Sequence, residues 1–240
     1  MNTYSLTDQG KVRSKNQDYF ANYFHSQFAL YLVADGMGGH RAGEVASRIA
    51  VEETRNYVIE HKADGDYGAL LVDALHYANR CIYDASSANP DYEQMGTTIV
   101  AVLQSGERCW VAHVGDSRVY LMREGTLRRL TQDHSLVQNL VEQGLLSPED
   151  ARTHPERSAV TRAMGVFPDV EVDCSELPLR EGDRVLLCTD GVTNMVEESE
   201  IEEILVEKPV SREACEALLE RANEHGGLDN VTATIFEYRS

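Results

Sequence analysis

Two stretches of the sequence repeat one design. Val33-Ala34-Asp35-Gly36 and Cys188-Thr189-Asp190-Gly191 each run a hydrophobic segment into an aspartate followed at once by glycine. A strand ending there fixes the carboxylate at the edge of a sheet, and the glycine lets the backbone carbonyl approach a ligand as well. A third aspartate, Asp229, opens the last apolar segment in Leu228-Asp229-Asn230-Val231. If that segment is a strand antiparallel to 183–189, its beginning lies beside the other's end and Asp190 meets Asp229. Asp116 occupies the tight turn Val114-Gly115-Asp116-Ser117-Arg118, and Asp18 stands near a strand start in Asn16-Gln17-Asp18.

Carboxylates gathered without enough basic partners repel one another, and a hard divalent cation relieves that repulsion. Oxygen-only ligands, with neither His nor Cys among them, point to Mg²⁺ or Mn²⁺. Arg13, in Gly10-Lys11-Val12-Arg13-Ser14, is the candidate anchor for a phosphate, because a guanidinium presents a planar fork that lysine lacks. The glycine-rich run Gly36-Met37-Gly38-Gly39-His40-Arg41-Ala42-Gly43 matches neither nucleotide-binding glycine pattern and reads as a tight turn feeding a helix. Taken singly, each Asp-Gly is equally a turn dipeptide; the argument rests on the joint pattern.

The elements that must position these groups follow from periodicity. Phe28 to Ala34 is a short apolar run that breaks at Asp35-Gly36, which predicts a buried strand ending in a turn. Ala42, Val45, Ala46, Ile49 and Ala50 fall on one helical face, as do Leu71, Ala74, Leu75, Ala78 and Ile82 ahead of Asn89-Pro90. Strands are predicted over 97–103, 109–114 and 118–123. Next come a helix stopped by Gly144 and a short one started by Ser147-Pro148-Glu149-Asp150. Strands near 170–177 and 183–189 precede helices near 199–207 and 212–224, with Ser211 placed to cap the second, and a strand over 230–238 closes the chain. Strands and helices come in blocks, which indicates an α+β protein with antiparallel sheets and helices packed outside them.

At 240 residues the chain fits one generous domain or two small ones, and no composition shift marks a linker. Acidic residues outnumber basic ones by 40 to 22, a net charge of −18 that argues against nucleic acid as a partner. No apolar run approaches the roughly 18 residues of a membrane helix, and no basic-then-apolar segment opens the chain, so no membrane partner and a cytoplasmic location are expected. The dispersed cysteines Cys81, Cys109, Cys174, Cys188 and Cys215 form no CxxC pair and read as reduced structural thiols. Nothing signals an obligate dimer, so a monomer is expected.

In order, RxxNQD, VADGMGGHxAGEVAS, MGTT, VGDSRVYL, TxDHS, LCTDGVT and GGxDNVT span residues 7 to 236. This series resembles the metal-dependent protein phosphatase family, the type-2C Ser/Thr phosphatases, in its compact bacterial form. The resemblance implies a single catalytic domain over 1–240, an α-β-β-α arrangement whose central β-sandwich of two antiparallel sheets is flanked by helices. It also implies a small flap subdomain at about 140–162 beside a dinuclear Mn²⁺ or Mg²⁺ centre. By that likeness Asp35 bridges both cations, the Gly36 carbonyl ligates one, Asp190 and Asp229 hold the other, and Asp18 acts through water. Asp116, sharing Asp190, helps hold a weaker third cation, and Arg13 binds the substrate phosphate.

The implied reaction is hydrolysis of phosphoserine or phosphothreonine on other proteins by direct attack of a metal-activated water. The implied partners are phosphorylated proteins, substrates of an opposing Ser/Thr kinase, with the kinase itself among them. The sequence departs from animal members at two positions. Gln17 stands where a glutamate precedes the aspartate of the first motif, and Met37 stands where a histidine is proposed as general acid. A thioether donates no proton, so His40 is the candidate for that role. Two other readings are a phosphatase with an aspartyl nucleophile, which expects a DxD pair where this chain has Asp35-Gly36-Met37, and a scaffold that binds phosphoproteins without cleaving them.

Overall fold

The computed structural model describes residues 2–38, 42–62 and 65–239. One sheet has the order β1 (Asn2–Asp8), β11 (Val231–Glu237), β10 (Arg184–Cys188), β7 (Arg118–Arg123), β8 (Thr126–Arg129). The other runs β2 (Asp18–Phe24), β3 (Ala29–Met37), β5 (Ile99–Ser105), β6 (Arg108–Val114), β9 (Asp173–Pro178), with the two-residue β4 (Gly96–Thr97) paired to the end of β3. All of these pairings are antiparallel.

Alternation along β3 sorts its side chains into two cores. Leu30, Leu32 and Ala34 pack toward α1 (Ala42–His61) and α2 (Tyr67–Ala88), while Ala29, Tyr31 and Val33 point into the layer between the sheets. A third core lies on the far face, where Leu186 and Cys188 of β10 and Ala233 and Ile235 of β11 meet α6 (Glu198–Glu207) and α7 (Ser211–Glu224). The layers are therefore α-β-β-α, as the resemblance implies. Between the sheets, the rings of Tyr31 and Phe236 stack with centroids 4.1 Å apart, joining β3 to β11.

The predicted helical faces are the buried ones. Leu71, Ala74, Leu75, Ala78 and Ile82 are all buried in α2, which Asp66 caps by accepting from Gly68 N and Ala69 N. In α1 the face centres on Ala42, Ala46 and Ala50, with Val45 and Ile49 at its flank. The two short helices also form: α3 (Leu136–Glu142) ahead of Gly144, with Ser135 as its cap, and α4 (Pro148–Thr153) after the expected cap Ser147.

Several expectations change. β3 does not stop at Asp35-Gly36; β4 pairs with Gly36 and Met37 and carries the strand two residues further. Ser211 does not cap α7; it is the first helical residue, and its Oγ donates to Asn2 O instead. The strands β1 and β8 and the single turn α5 (Asp190–Thr193) were not read from the sequence, and of β2 only its start near Asp18 was. β1 and β2 are half-buried along most of their length, so no clean apolar alternation marks them.

Phe236→Ala removes one half of the inter-sheet stack from a buried site. The expected cost is about 3–5 kcal/mol, read as a lower urea midpoint in equilibrium unfolding; a loss under 1 kcal/mol would show that the stack does not join the sheets.

Candidate active site

The ends of five strands converge at one edge of the sandwich, and each delivers an acid. Asp18 opens β2 and lies directly opposite Asp35 in the β2–β3 register. Asp116 sits in the β6–β7 turn, where Gly115 takes a φ of 109° and so bends the chain as only glycine does readily. β10 and β11 are antiparallel, with Cys188 opposite Ala233, so Asp190 just past one strand and Asp229 just before the other come together. Asp190 is not the last residue of a strand, as expected, but the first residue of α5, with Thr189 at the cap position.

Backbones press together around these acids. A Cβ on Gly36 would lie 2.1 Å from Gly43 O, and one on Gly191 would lie 1.9 Å from Asn230 O. These glycines are thus required by close approach, not by an unusual φ. Asp35 is braced by the threonine pair of the MGTT stretch: its N–H donates to Thr98 Oγ1 at 3.1 Å and its carbonyl accepts from Thr97 Oγ1 at 2.7 Å. Asp18 Oδ2 accepts from the hydroxyls of Thr232 at 2.6 Å and Thr189 at 2.9 Å. Asn230 ties down the loop that carries Arg13: its Oδ1 accepts from Gln17 N, and its Nδ2 donates to Gln9 O and Lys15 O.

The acids strain one another. Burial pushes the Asp18 carboxyl up to about 7 against the pull of its two threonine hydroxyls, and Asp190 and Asp229 push it the same way. Burial likewise holds Asp35 well above the carboxylate range, with Asp18, Asp190 and Asp116 adding to it. Asp116 is raised well by burial and by Asp190, and Asp190 is raised by burial and by Asp229. Asp18 Oδ1 and Asp190 Oδ1 are buried with no hydrogen-bond partner among the described residues. Oxygen donors alone, buried and short of counter-charge, form the donor set of a hard divalent cation. The site therefore fits Mg²⁺ or Mn²⁺.

Arg13 reaches the cluster from the β1–β2 loop. Its Nη2 donates to Asp229 Oδ2 at 2.7 Å, and its side chain stays 53% exposed, open to a ligand from outside. Arg13, Gln17, Asp35, Gly36, Met37, Asp116, Asp190 and Asp229 line one cleft of about 280 Å³, and Ser158 and Val160 line it as well. His40 lies outside the described residues. The sequence reading missed Thr97, Thr98, Thr189, Thr232 and Asn230, which hold the acids, although each stands in or beside a motif it quoted. It also missed Arg118, whose guanidinium grips Asp133 through contacts of 2.7 to 3.1 Å beside Asp116.

A second cluster, His113, His134 and Asp173, brings its ligand atoms within 4.8 Å of one another. It already holds a cation, the Arg162 guanidinium, 2.7 Å from Asp173 Oδ1 and 2.9 Å from His134 Nε2. His134 Nδ1 accepts from Gly115 N, and burial lowers the pKa of both histidines. This group fastens residues 159–164 to the sandwich, together with the bridges Ser135–Val160 and Thr97–Met164.

The comparisons agree with this geometry. A family model described as protein phosphatase 2C matches residues 9–232, and the chain belongs to that family. The serine/threonine phosphatase Stp of Listeria monocytogenes is 40% identical, over 96% of this chain and 93% of that one. The crystal structure of the Mycobacterium tuberculosis serine/threonine phosphatase PstP/Ppp matches at TM-score 0.91 and 38% identity, covering 99% of this chain and 98% of that one. A structure of the PstP catalytic domain in complex with two manganese ions matches at TM-score 0.86 and 37% identity, covering 97% and 96%. No helix among the described residues is long and apolar enough to cross a membrane.

The raised acid predicts a pH dependence. A carboxyl near 3.8 in the unfolded chain and near 7 in the fold binds its proton more tightly when folded. The metal-free protein should thus lose stability as pH rises from about 4 to about 7. Saturating Mn²⁺, which replaces the proton as the countercharge, should flatten that slope. Melting temperatures in EDTA and in Mn²⁺ across this range test it; equal slopes would remove cations from the cluster.

Proposed function

We propose that this protein is a divalent-cation-dependent protein serine/threonine phosphatase. The convergence of five aspartates and one arginine fork at one edge of a type-2C sandwich carries this reading. Asp35, the Gly36 carbonyl, Asp190, Asp229, Asp116 and Asp18 would hold Mn²⁺ or Mg²⁺, two per site, with a weaker third shared by Asp116 and Asp190. Bound there, divalent cations supply Lewis-acid charge and make water a better nucleophile near neutral pH.

The chain's own residues do the rest. Arg13, swung from Asp229, offers two parallel N–H groups to the phosphate oxygens. Thr97 and Thr98 fix Asp35 from both sides of its peptide, and Asn230 fixes the height of the Arg13 loop. Residues 140–162 form the flap, and its Ser158 and Val160 line the cleft together with the acids. The substrates would be phosphoproteins made by an opposing cytoplasmic kinase, and the enzyme would act as a monomer.

Hydrolysis of p-nitrophenyl phosphate and of a phosphothreonine peptide, with Mn²⁺ and with EDTA, tests the reading. No Mn²⁺-dependent turnover would leave the phosphoprotein-binding scaffold instead. Asp190→Asn should lower kcat on the order of a hundredfold or more. The same change should raise the EDTA melting temperature at pH 8 by about 2–4 °C, because it removes a repelling charge; a lower value would mean that Asp190 supports the fold. Arg13→Ala should raise KM about tenfold with a smaller fall in kcat, since the fork mainly binds. An unchanged KM would take Arg13 off the substrate.

A further inference from the structure

The cleft continues onto an apolar ridge that the reaction itself does not use. Val166 is 47% exposed and Phe167 is 69% exposed, and Pro168 after them is exposed as well. Met37, which lines the cleft, stands beside this ridge: a Cβ on Gly96 would lie 3.2 Å from Val166 Cγ2 and 3.5 Å from Met37 Cγ. The glycine of the MGTT stretch thus lets the two side chains approach each other over it.

A single exposed apolar residue is ordinary. What sets this pair apart is the backbone beneath it. Asn79 of α2 is buried and uses its whole amide on the loop: Oδ1 accepts from Gly165 N at 2.7 Å, and Nδ2 donates to Phe167 O and Pro168 O, each at 3.1 Å. Gly165, at a φ of 84°, presses on Ile82 so closely that a Cβ would meet its Cγ2 at 2.2 Å. Upstream, Thr97 and Met164 exchange two backbone hydrogen bonds of 3.1 and 2.9 Å. The loop cannot turn Val166 and Phe167 inward without breaking these bonds, and leaving buried polar groups unpaired is costly.

The chemistry of the ridge selects its occupant. Over 165–169 the one charged residue is Asp169, and Arg80 pairs with it at 2.9 Å. Valine, phenylalanine, proline and methionine side chains offer neither charge nor a strong hydrogen bond, so their complement is an apolar group. A rigid aromatic also gives contact area at little cost in conformational entropy. An extended peptide advances about 3.3–3.6 Å per residue, so a phosphoresidue seated beside Met37 carries a near neighbour over the ridge.

We propose that Val166 and Phe167, with Met37, form an apolar subsite for a leucine-like side chain a few residues from the phosphoresidue being hydrolysed, so that the enzyme favours phosphorylated segments with an apolar neighbour. The inference rests on the phosphatase reading above. Val166 and Phe167 are specificity residues: they touch the substrate away from the reacting atoms.

The test uses the Mn²⁺-loaded full chain and phosphothreonine peptides with alanine flanks, in which leucine replaces one flanking position at a time on either side. The readout is kcat/KM relative to the all-alanine peptide. At one position the wild-type ratio should be about five, mostly through KM, and it should survive added salt, which would screen a charged contact. The double change Val166→Ser with Phe167→Ser should bring the ratio to near one, while Phe167→Leu should keep most of it. Val206→Ser, which removes an exposed apolar residue from α6 on the far face, should leave the ratio as in the wild type.

Turnover with no leucine preference at any position, or a preference that persists in the double variant, would overturn the subsite while leaving the phosphatase reading intact. So would sedimentation velocity showing a dimer that Phe167→Ser dissolves, since a second copy of the chain would then cover the ridge. Absence of Mn²⁺-dependent turnover on every peptide would overturn both readings. The ratio is internal to each variant, so a general loss of activity does not imitate the expected result.

Discussion

Everything at the working end of this protein is arranged around a repulsion. Two unit charges 4 Å apart repel by about 4 kcal/mol at the effective dielectric of a protein surface, and Asp18, Asp35, Asp116, Asp190 and Asp229 share one edge of a desolvated sandwich. Left to themselves such side chains would move apart or keep their protons. They do not move apart because each is set by backbone that has no slack. Asp18 and Asp35 face each other across a ladder, Asp190 and Asp229 flank a second, and Gly36 and Gly191 press directly on neighbouring backbone. The buried cores on both faces of each sheet hold that geometry against the repulsion. A cation then supplies the one thing the scaffold withholds.

The same view resolves the apparent conflict between a net charge of −18 and an anionic substrate. Many of the glutamates lie on α6 and α7, on the outer face of the sandwich, and are exposed to solvent. Exposed charges are screened beyond about 8–10 Å at ordinary ionic strength. What a phosphate meets in the cleft is decided by the charges beside it: Arg13, and whatever ions the aspartates hold. Overall acidity thus bears on solubility and on nucleic acid as a partner, and says little about the cleft.

Much of this was legible before the structure. Asp35 and Asp190 announced themselves because an apolar run ending in Asp-Gly is a local signal, and the meeting of Asp190 with Asp229 followed from one assumption about strand direction. The four layers came from blocks of period two and period 3.6, together with the family likeness. What escaped was non-local or weakly patterned. β1, and β2 beyond its expected start near Asp18, are half-buried along most of their length, so they lack the alternation that marks a strand with one buried face. Asp35 lies inside its strand only because β4, far along the chain, pairs with the residues after it. Thr189, Thr232 and Asn230 matter through partners distant in sequence, and a hydroxyl or an amide carries no sequence mark of what it will bond. Ser211 was read as a cap for good local reasons, but its hydroxyl bonds instead to the carbonyl of Asn2, at the other end of the chain.

The two walls of the cleft are built to different standards, and the difference has a functional logic. The acid wall is strand ends backed by three cores. The opposite wall is α3, α4 and the residues after them; α3 buries Val137 and α4 buries no residue. With so little apolar surface covered, local opening there costs much less than unfolding the sandwich. Yet the segment is not loose where it matters. Ser135–Val160, Thr97–Met164 and the Arg162–Asp173 pair pin residues 159–164 close to Asp35 and Asp116. The catalytic geometry therefore stands on the rigid side. The opposite side can open at less cost, and its Arg152 pairs with Glu197, not with the acids. A phosphatase that must find its substrates among many phosphoproteins needs both properties, and dividing them between two walls lets each be met without cost to the other.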